Sequence, residues 1–172
     1  MDFPNRKPNR LPDFDYSTPG AYFISICVKG KKCQLGHIVG GGAFDAPQMK
    51  LTTAGKVVEK YILSGNYIPG VYVDKYVIMP NHIHLIAVIT EENMLREIRE
   101  SPLRSRSIIS KLIGYIKMNA SKAIRQHYGE ISVWQRGYYD HIIRNREDYT
   151  MLAAYIDTNP LRWTLDKLYT EE

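Results

Sequence analysis

An α+β fold, a ferredoxin-like antiparallel sheet packed by helices, is what this sequence predicts, and three observations carry the prediction. Runs rich in β-branched and aromatic residues recur at "AYFISICV" (21–28), "GVYVDKYVIMP" (70–80) and "HIHLIAVIT" (82–90), the composition of half-buried strands. Two other stretches return an apolar residue every three or four positions, the period of an amphipathic helix. The resulting order, β-(β)-α-β-β-α-β-α, suits one antiparallel sheet covered by helices. With 172 residues, 44% of them hydrophobic, the chain has material for one well-buried domain and too little for two.

Residues 1–20 read as an irregular N-terminal arm, with prolines at 4, 8, 12 and 19, and residues 21–172 as the domain. "AYFISICV" is the first strand, "GKK" at 30–32 turns the chain, "QLGHIVG" is a short second strand, and "GGAFDAPQM" (41–49) is a flexible loop. Thr52 or Thr53 caps a helix through "AGKVVEKYILSG", which stops at Gly65. Two strands follow, broken at Pro80-Asn81 and therefore expected to pair antiparallel. "SIISKLIGYIKMNASKAIRQH" is the longest helical pattern, with Ile109, Leu112, Ile113, Ile116, Ala120, Ala123 and Ile124 on one side. "VWQRGYYDHIIR" (133–144) reads as one further strand. Asn145 with Asp148 three residues on resembles a capping box for a last helix, "REDYTMLAAYIDTNP", ended by Pro160.

Composition narrows the function. No apolar run is long enough to cross a bilayer, and "MDFPNRKPNRLPDFDYSTPG" has no apolar core of the kind a signal peptide carries. Cys27 and Cys33 fit no zinc or redox spacing. A soluble, cytoplasmic protein with reduced cysteines is expected. The formal charge is +5, and it is unevenly spread. Between Ser101 and Arg146, nine basic residues (Arg104, Arg106, Lys111, Lys117, Lys122, Arg125, Arg136, Arg144 and Arg146) stand against Glu130 and Asp140. Lys111, Tyr115, Lys122 and Arg125 recur on one stripe of the long helix. A solvated helix face and a polyanion-binding face both account for that pattern.

The chemistry concentrates in two places. In "VIMPNHIHLIAVIT" (77–90), His82 and His84 project from the same strand face with Ile83 opposite. Two imidazoles so placed can converge on one divalent ion, whereas two incidental core histidines would satisfy the same pattern. In "AYIDTNP", Tyr155 and Asn159 are i and i+4 and lie one helical turn apart. The amide oxygen of Asn159 is a third hard ligand and the phenol of Tyr155 falls within a turn of the ion; packing and helix termination are the plainer reading of the same residues. Together the parts suit phosphoryl transfer. A phenol with pKa near ~10 is about 0.1% ionised at neutral pH, so the tyrosine needs a metal that polarises and orients the phosphate. The basic stripe would hold the rest of the strand by its backbone.

"MPNHIHLI", then "VWQRGYYDHIIR", then "AYIDTNP", in that order and spacing, resembles the single-tyrosine HUH transposases, and among them the REP-associated tyrosine transposases. The opening "NRLPDFDYSTPGAYFISICV" is similar to the start of that subfamily, so the resemblance covers nearly the whole chain. It implies the HUH endonuclease type of ferredoxin-like core, His82 and His84 as metal ligands on a central strand, and Tyr155 as the nucleophile. Insertion-sequence members carry Gln one turn after the tyrosine as third ligand; here Asn159 stands there, as in the REP-associated branch. The implied reaction is cleavage and rejoining of single-stranded or hairpin DNA with Mg²⁺ or Mn²⁺, leaving a 5′-phosphotyrosine and a free 3′-OH. In that branch the N-terminal region helps read a DNA guide, which makes Arg6, Lys7 and Arg10 the contacts implied within "NRKPNR".

Two tyrosines, Tyr138 and Tyr139, compete with Tyr155, but neither has a helix-turn partner, and packing or base stacking is their expected role. A ferredoxin-like module that binds structured nucleic acid without cutting it is the alternative function, and a protein with a purely structural metal is a third. The sequence leaves open the target hairpin, the choice between Mg²⁺ and Mn²⁺, and whether the chain works as a monomer or a homodimer.

Overall fold

The computed structural model describes residues 14, 16, 18–42, 45–91, 107–129 and 132–171. Six strands and three α-helices fall within them: β1 Gly20–Cys27, β2 Gly36–Val39, β3 Gln48–Leu51, α1 Thr53–Ser64, β4 Val71–Met79, β5 His82–Ile89, α2 Ile108–Tyr128, β6 Tyr139–Ile143 and α3 Arg146–Thr158. The main sheet has the order β4-β5-β1-β6 with every neighbour antiparallel. Counting only its own strands, that order is second, third, first, fourth, with a helix after the first and another after the third. This is the ferredoxin-like arrangement, an α+β fold as the residue patterns predict.

Each helix start has a chemical reason. The Thr52 hydroxyl accepts from Gly55 N–H at 3.1 Å and caps α1, and Ser107 caps α2. Asn145 caps α3, its side chain accepting from Asp148 N–H at 2.8 Å. The reciprocal half of a capping box is not made. The Asp148 carboxylate instead accepts from Arg144 N–H at 3.3 Å and pairs with His141 at 2.8 Å.

The alternation of β1 and β5 divides the sheet into two faces. Tyr22, Ile24, Ile26, Ile83, Leu85 and Ala87 point to the layer built by α1 and α2, together with Ile109, Leu112, Ile113 and Ile116. Ile86 points the other way, against Ala153 and Ile156 of α3, with Phe23, Val77 and Val88 around them. The second layer is thin, so α3 is also held by polar ties to β4: Lys75 to Asp157 at 2.6 Å, and the Tyr149 hydroxyl to the Asp74 carboxylate. Asp74 lies at a register shift between Val73 and Lys75 that turns this part of β4 toward the helix.

Two local readings of the sequence need correction. The loop expected through 41–49 ends earlier, and Gln48–Leu51 forms β3, which pairs only with β2. Four residues after a Gly- and Pro-rich stretch are too few to display alternation. "VWQRGYYDHIIR" is not one strand: Val28 and Trp134 form an isolated bridge, Gly137 takes φ 78, and β6 starts only at Tyr139. Pro160 ends α3 as expected but opens a 3-10 turn, Pro160–Leu165. Phe14 and Tyr16, within the expected arm, pack edge-on at 5.1 Å and join the core beside Tyr22.

Candidate metal and nucleophile site

Strand β5 opens with His82 and His84, and both rings lie on the face that meets α3, 4.4 Å apart centroid to centroid. They are 0% and 4% exposed, because the chain after α3 folds back over them. Trp163 lies 6.0 Å from the His82 ring and itself packs on Tyr169 at 5.1 Å.

The hydrogen bonds fix one tautomer. Asn81, 1% exposed, accepts through Oδ1 from His82 Nδ1 at 2.7 Å. Its Nδ2 donates to Leu168 O at 2.8 Å and to Lys31 O at 3.3 Å, two carbonyls that can only accept. Oδ1 therefore faces His82, Nδ1 carries the proton, and Nε2 presents its lone pair to the site. His84 Nδ1 lies 2.7 Å from the Ser25 hydroxyl, its cross-strand partner on β1, and Phe23 stacks on the same ring at 5.1 Å. This is the outer-shell arrangement that orients histidine ligands.

Tyr155 and Asn159 arrive from α3 and its C-cap. The Tyr155 hydroxyl donates to Asp166 Oδ2 at 2.8 Å and lies 3.4 Å from His84 Nε2. Asn159, 1% exposed, donates through Nδ2 to the same Asp166 oxygen at 3.1 Å. Asp166 is a candidate site residue that the sequence does not mark. Its Oδ1 accepts from Leu168 N–H at 2.6 Å, which holds the carboxylate in place. In the sequence it is a lone acid in "NPLRWTLDKLY", with no spacing that marks it; only the turn after Pro160 carries it to the histidines.

Nitrogen or oxygen atoms of His82, His84 and Asp166 all lie within 4.8 Å of one another, a group that can hold a divalent metal. The buried atoms agree with that use. His82 Nε2 and the Asn159 amide oxygen have no hydrogen-bond partner, a costly state for buried polar atoms unless a ligand satisfies them. Both are among the donors expected from the sequence, so the residues present fit a metal.

Burial pushes His82 down to about 4, although the Asp166 charge works the other way. Burial, and then the neighbouring His82, push His84 down to about 3. Both imidazoles are neutral at pH 7, the ligating form. Tyr155 is pushed up to about 12, by burial first and then by its hydrogen bond to Asp166. For Asp166 burial acts upward, but the hydrogen bonds from Leu168, Tyr155 and Asn159 outweigh it and hold the carboxyl below its ordinary value.

Other candidates lie elsewhere. Tyr138 turns to the core face and its hydroxyl is 3.1 Å from Ser110 Oγ, whereas Tyr139 pairs with Ser25 on the face of the histidines and is 54% exposed. Lys111, Lys122 and Arg125 are exposed on α2, and half-buried Tyr115 meets Tyr61 of α1 edge-on at 6.2 Å. Lys122 and Arg125 share an open groove of about 690 Å³ with Lys117 and Trp134. Helix α2 covers the opposite face of the sheet from the histidines, so the fold does not gather this stripe at the metal group. Arg6, Lys7 and Arg10 lie outside the described residues.

No helix among the described residues is long and apolar enough to cross a membrane. No family model matches the chain. An uncharacterized protein of Haemophilus influenzae is 34% identical over 97% of this chain and 94% of its own length. A second protein of that organism, named "Putative REP-associated tyrosine transposase", is 31% identical over 49% of this chain and 47% of its own. Among solved structures, the REP-associated tyrosine transposase bound to a REP hairpin matches with a TM-score of 0.60 at 20% identity, over 89% of this chain and 74% of that one. The shared fold, and the sequence likeness over about half of the chain to a protein named as a REP-associated tyrosine transposase, agree with the resemblance that the three motif segments carry.

Proposed function

We propose that the protein is a metal-dependent transposase and endonuclease that cuts and rejoins single-stranded or hairpin DNA through a covalent tyrosine intermediate. One observation carries this reading: a phenol, a fixed carboxylate and two neutral imidazoles meet around buried ligand atoms that lack a partner. Residues 21–172 are the catalytic domain, and residues 1–20 the arm that contacts DNA through Arg6, Lys7 and Arg10. Lys111, Tyr115, Lys122 and Arg125 hold a more distant part of the nucleic acid by charge and stacking.

His82, His84 and Asn159 hold the ion, Mg²⁺ or Mn²⁺, with Asp166 within reach of the same position. When bound, the metal polarises the phosphate and stabilises the charge that develops on its oxygens. Tyr155 Oη attacks the phosphorus in line; the Oη–P bond forms as the bond to the 3′-oxygen breaks. Asp166 Oδ2, already the acceptor of the phenol O–H, takes that proton. The 3′-oxygen leaves and is protonated, and the 5′-phosphate remains on Tyr155. Attack by a 3′-OH reverses the step and joins two strands. The raised Tyr155 pKa describes the resting phenol, and the hydrogen bond to Asp166 contributes to it; a cation bound nearby would act in the opposite direction.

Denaturing electrophoresis of the full chain with labelled hairpin DNA tests this, with Mg²⁺ or Mn²⁺, with EDTA, and with Tyr155→Phe. A metal-dependent adduct that survives denaturant and vanishes in the variant is expected. An adduct that persists in Tyr155→Phe moves the nucleophile to Tyr139, the other tyrosine on that sheet face. Salt-sensitive binding with no adduct on any hairpin would leave a nucleic-acid-binding module instead.

A further inference from the structure

The turn after β1 carries three lysines in four residues, Lys29, Lys31 and Lys32. Like charges so close repel, yet the backbone holds them. Lys31 has φ 53, the one non-glycine residue with positive φ among the described residues, a conformation that persists only where surroundings enforce it. The enforcing contacts are plain. Lys31 O accepts from Asn81 Nδ2 at 3.3 Å and from the Thr170 hydroxyl at 3.0 Å. Lys29 N–H donates to Val133 O at 2.9 Å.

Those contacts give the turn a position between two features that the fold otherwise separates. On one side, Asn81 is the amide that orients His82. On the other, Val28 bridges to Trp134, whose indole N–H donates to Lys117 O at 3.0 Å in the groove on α2. Lys31 and Lys32 also line an open cavity of about 550 Å³ with Thr52, Thr170 and Glu171, the last its one acid. None of the three ammonium groups is paired with a carboxylate among the described residues. Three free cations on a rigid turn match the regular negative charge of a nucleic-acid backbone better than a mobile tail would.

We propose that the Lys29–Lys32 turn is a phosphodiester-binding site, which holds the DNA backbone where the strand passes around the end of the sheet, from the α2 groove to the histidines. It rests on the strand-cleaving reading and adds to it the route by which the strand enters. The turn is coupled to the metal centre through Asn81, so the backbone and the ligand His82 are held by one buried side chain.

Salt dependence of binding tests it. Dissociation constants of a labelled DNA hairpin with single-stranded flanks are measured across a salt series for the wild-type full chain. The same series is run for Lys29→Gln/Lys31→Gln/Lys32→Gln and for Lys56→Gln/Lys60→Gln on α1 as a charge control. Each lost contact to a single strand removes about 0.7 from the slope of log K against log salt, so the triple variant should fall by about 2 and the control should not change. A triple-variant slope equal to wild type overturns the proposal, and so does an equal loss per charge in the control. Thermal melts check folding; if the triple variant does not fold, Lys32→Gln alone should lower the slope by about 0.7, and an unchanged slope overturns the proposal. Wild-type protein that binds no DNA would sink the strand-cleaving reading itself, whereas wild-type binding and adduct formation with no effect of the lysines would sink only this inference.

Discussion

Replacing Asn81 by Ala tests how the site is built. Its side chain satisfies four groups at once: His82 Nδ1 at 2.7 Å, Leu168 O at 2.8 Å, Thr170 Oγ1 at 3.0 Å and Lys31 O at 3.3 Å. His82 is fully buried, so in Asn81→Ala its Nδ1–H has neither amide nor solvent to meet, and Leu168 O loses its short bond. At about 1–3 kcal/mol for each buried group left unpaired, the cost is about 2–6 kcal/mol. Freed from its tautomer, His82 should also lose metal affinity by roughly 10- to 100-fold, the usual effect of removing an orienting partner. Asn81→Asp separates the two effects. Its carboxylate still accepts from His82 Nδ1–H, but it faces Leu168 O and Lys31 O with no proton to offer. Stability should fall at least as far as in Asn81→Ala, while metal affinity should hold. The assays are urea unfolding of the metal-free chain and Mn²⁺ titration followed by electron paramagnetic resonance. Equal Mn²⁺ affinity in wild type and Asn81→Ala, or an equal loss in both variants, would refute the argument that Asn81 acts by setting the tautomer.

Further outcomes follow from the same geometry. Asp166→Asn removes the acceptor of the Tyr155 proton while keeping the size of the side chain; adduct formation should slow by roughly 100-fold or more, and a rate within threefold (roughly the scatter of such assays) would assign Asp166 to packing alone. The histidines predict acid sensitivity. Their folded pKa values, about 4 and about 3, lie below the ordinary 6.5 of a histidine, so between those values the unfolded chain binds more protons and stability falls with falling pH. From pH 7 to pH 5 the two should cost on the order of 3 kcal/mol, and urea unfolding of His82→Gln/His84→Gln should lack that dependence; an identical pH slope in the variant would contradict it. Gly55→Ala puts a Cβ 2.0 Å from Leu35 O, a backbone atom that cannot swing away. Because Leu35 N–H in turn donates to Pro80 O beside the site, a loss of about 2 kcal/mol is expected, read as a lower melting temperature; an unchanged one would show that the contact relaxes freely.

Local chemistry accounts for what was legible in the residues themselves. Apolar periodicity is a short-range property, so β1, β4, β5, α1 and α2 could be placed from their own residues. The strand period put His82 and His84 on one face, and the helical period put Tyr155 one turn from Asn159, before any contact was known. Pairs of this kind depend only on backbone geometry within a few residues. What needed the tertiary structure was whatever depends on a return of the chain. Asp166 meets Tyr155 only because the turn after Pro160 doubles back over the sheet. The burial of the histidines comes from Trp163 on that same segment, not from β5. Asn81 reads as a strand break in sequence, yet it holds Lys31, His82 and Leu168 together, reaching 50 residues back along the chain and 87 forward. The basic stripe on α2 was visible as a stripe, but its place on the far side of the sheet from the metal group was set by packing. Residues near one another in sequence carry their relation in a repeat, while residues brought together by the fold carry it only in three dimensions.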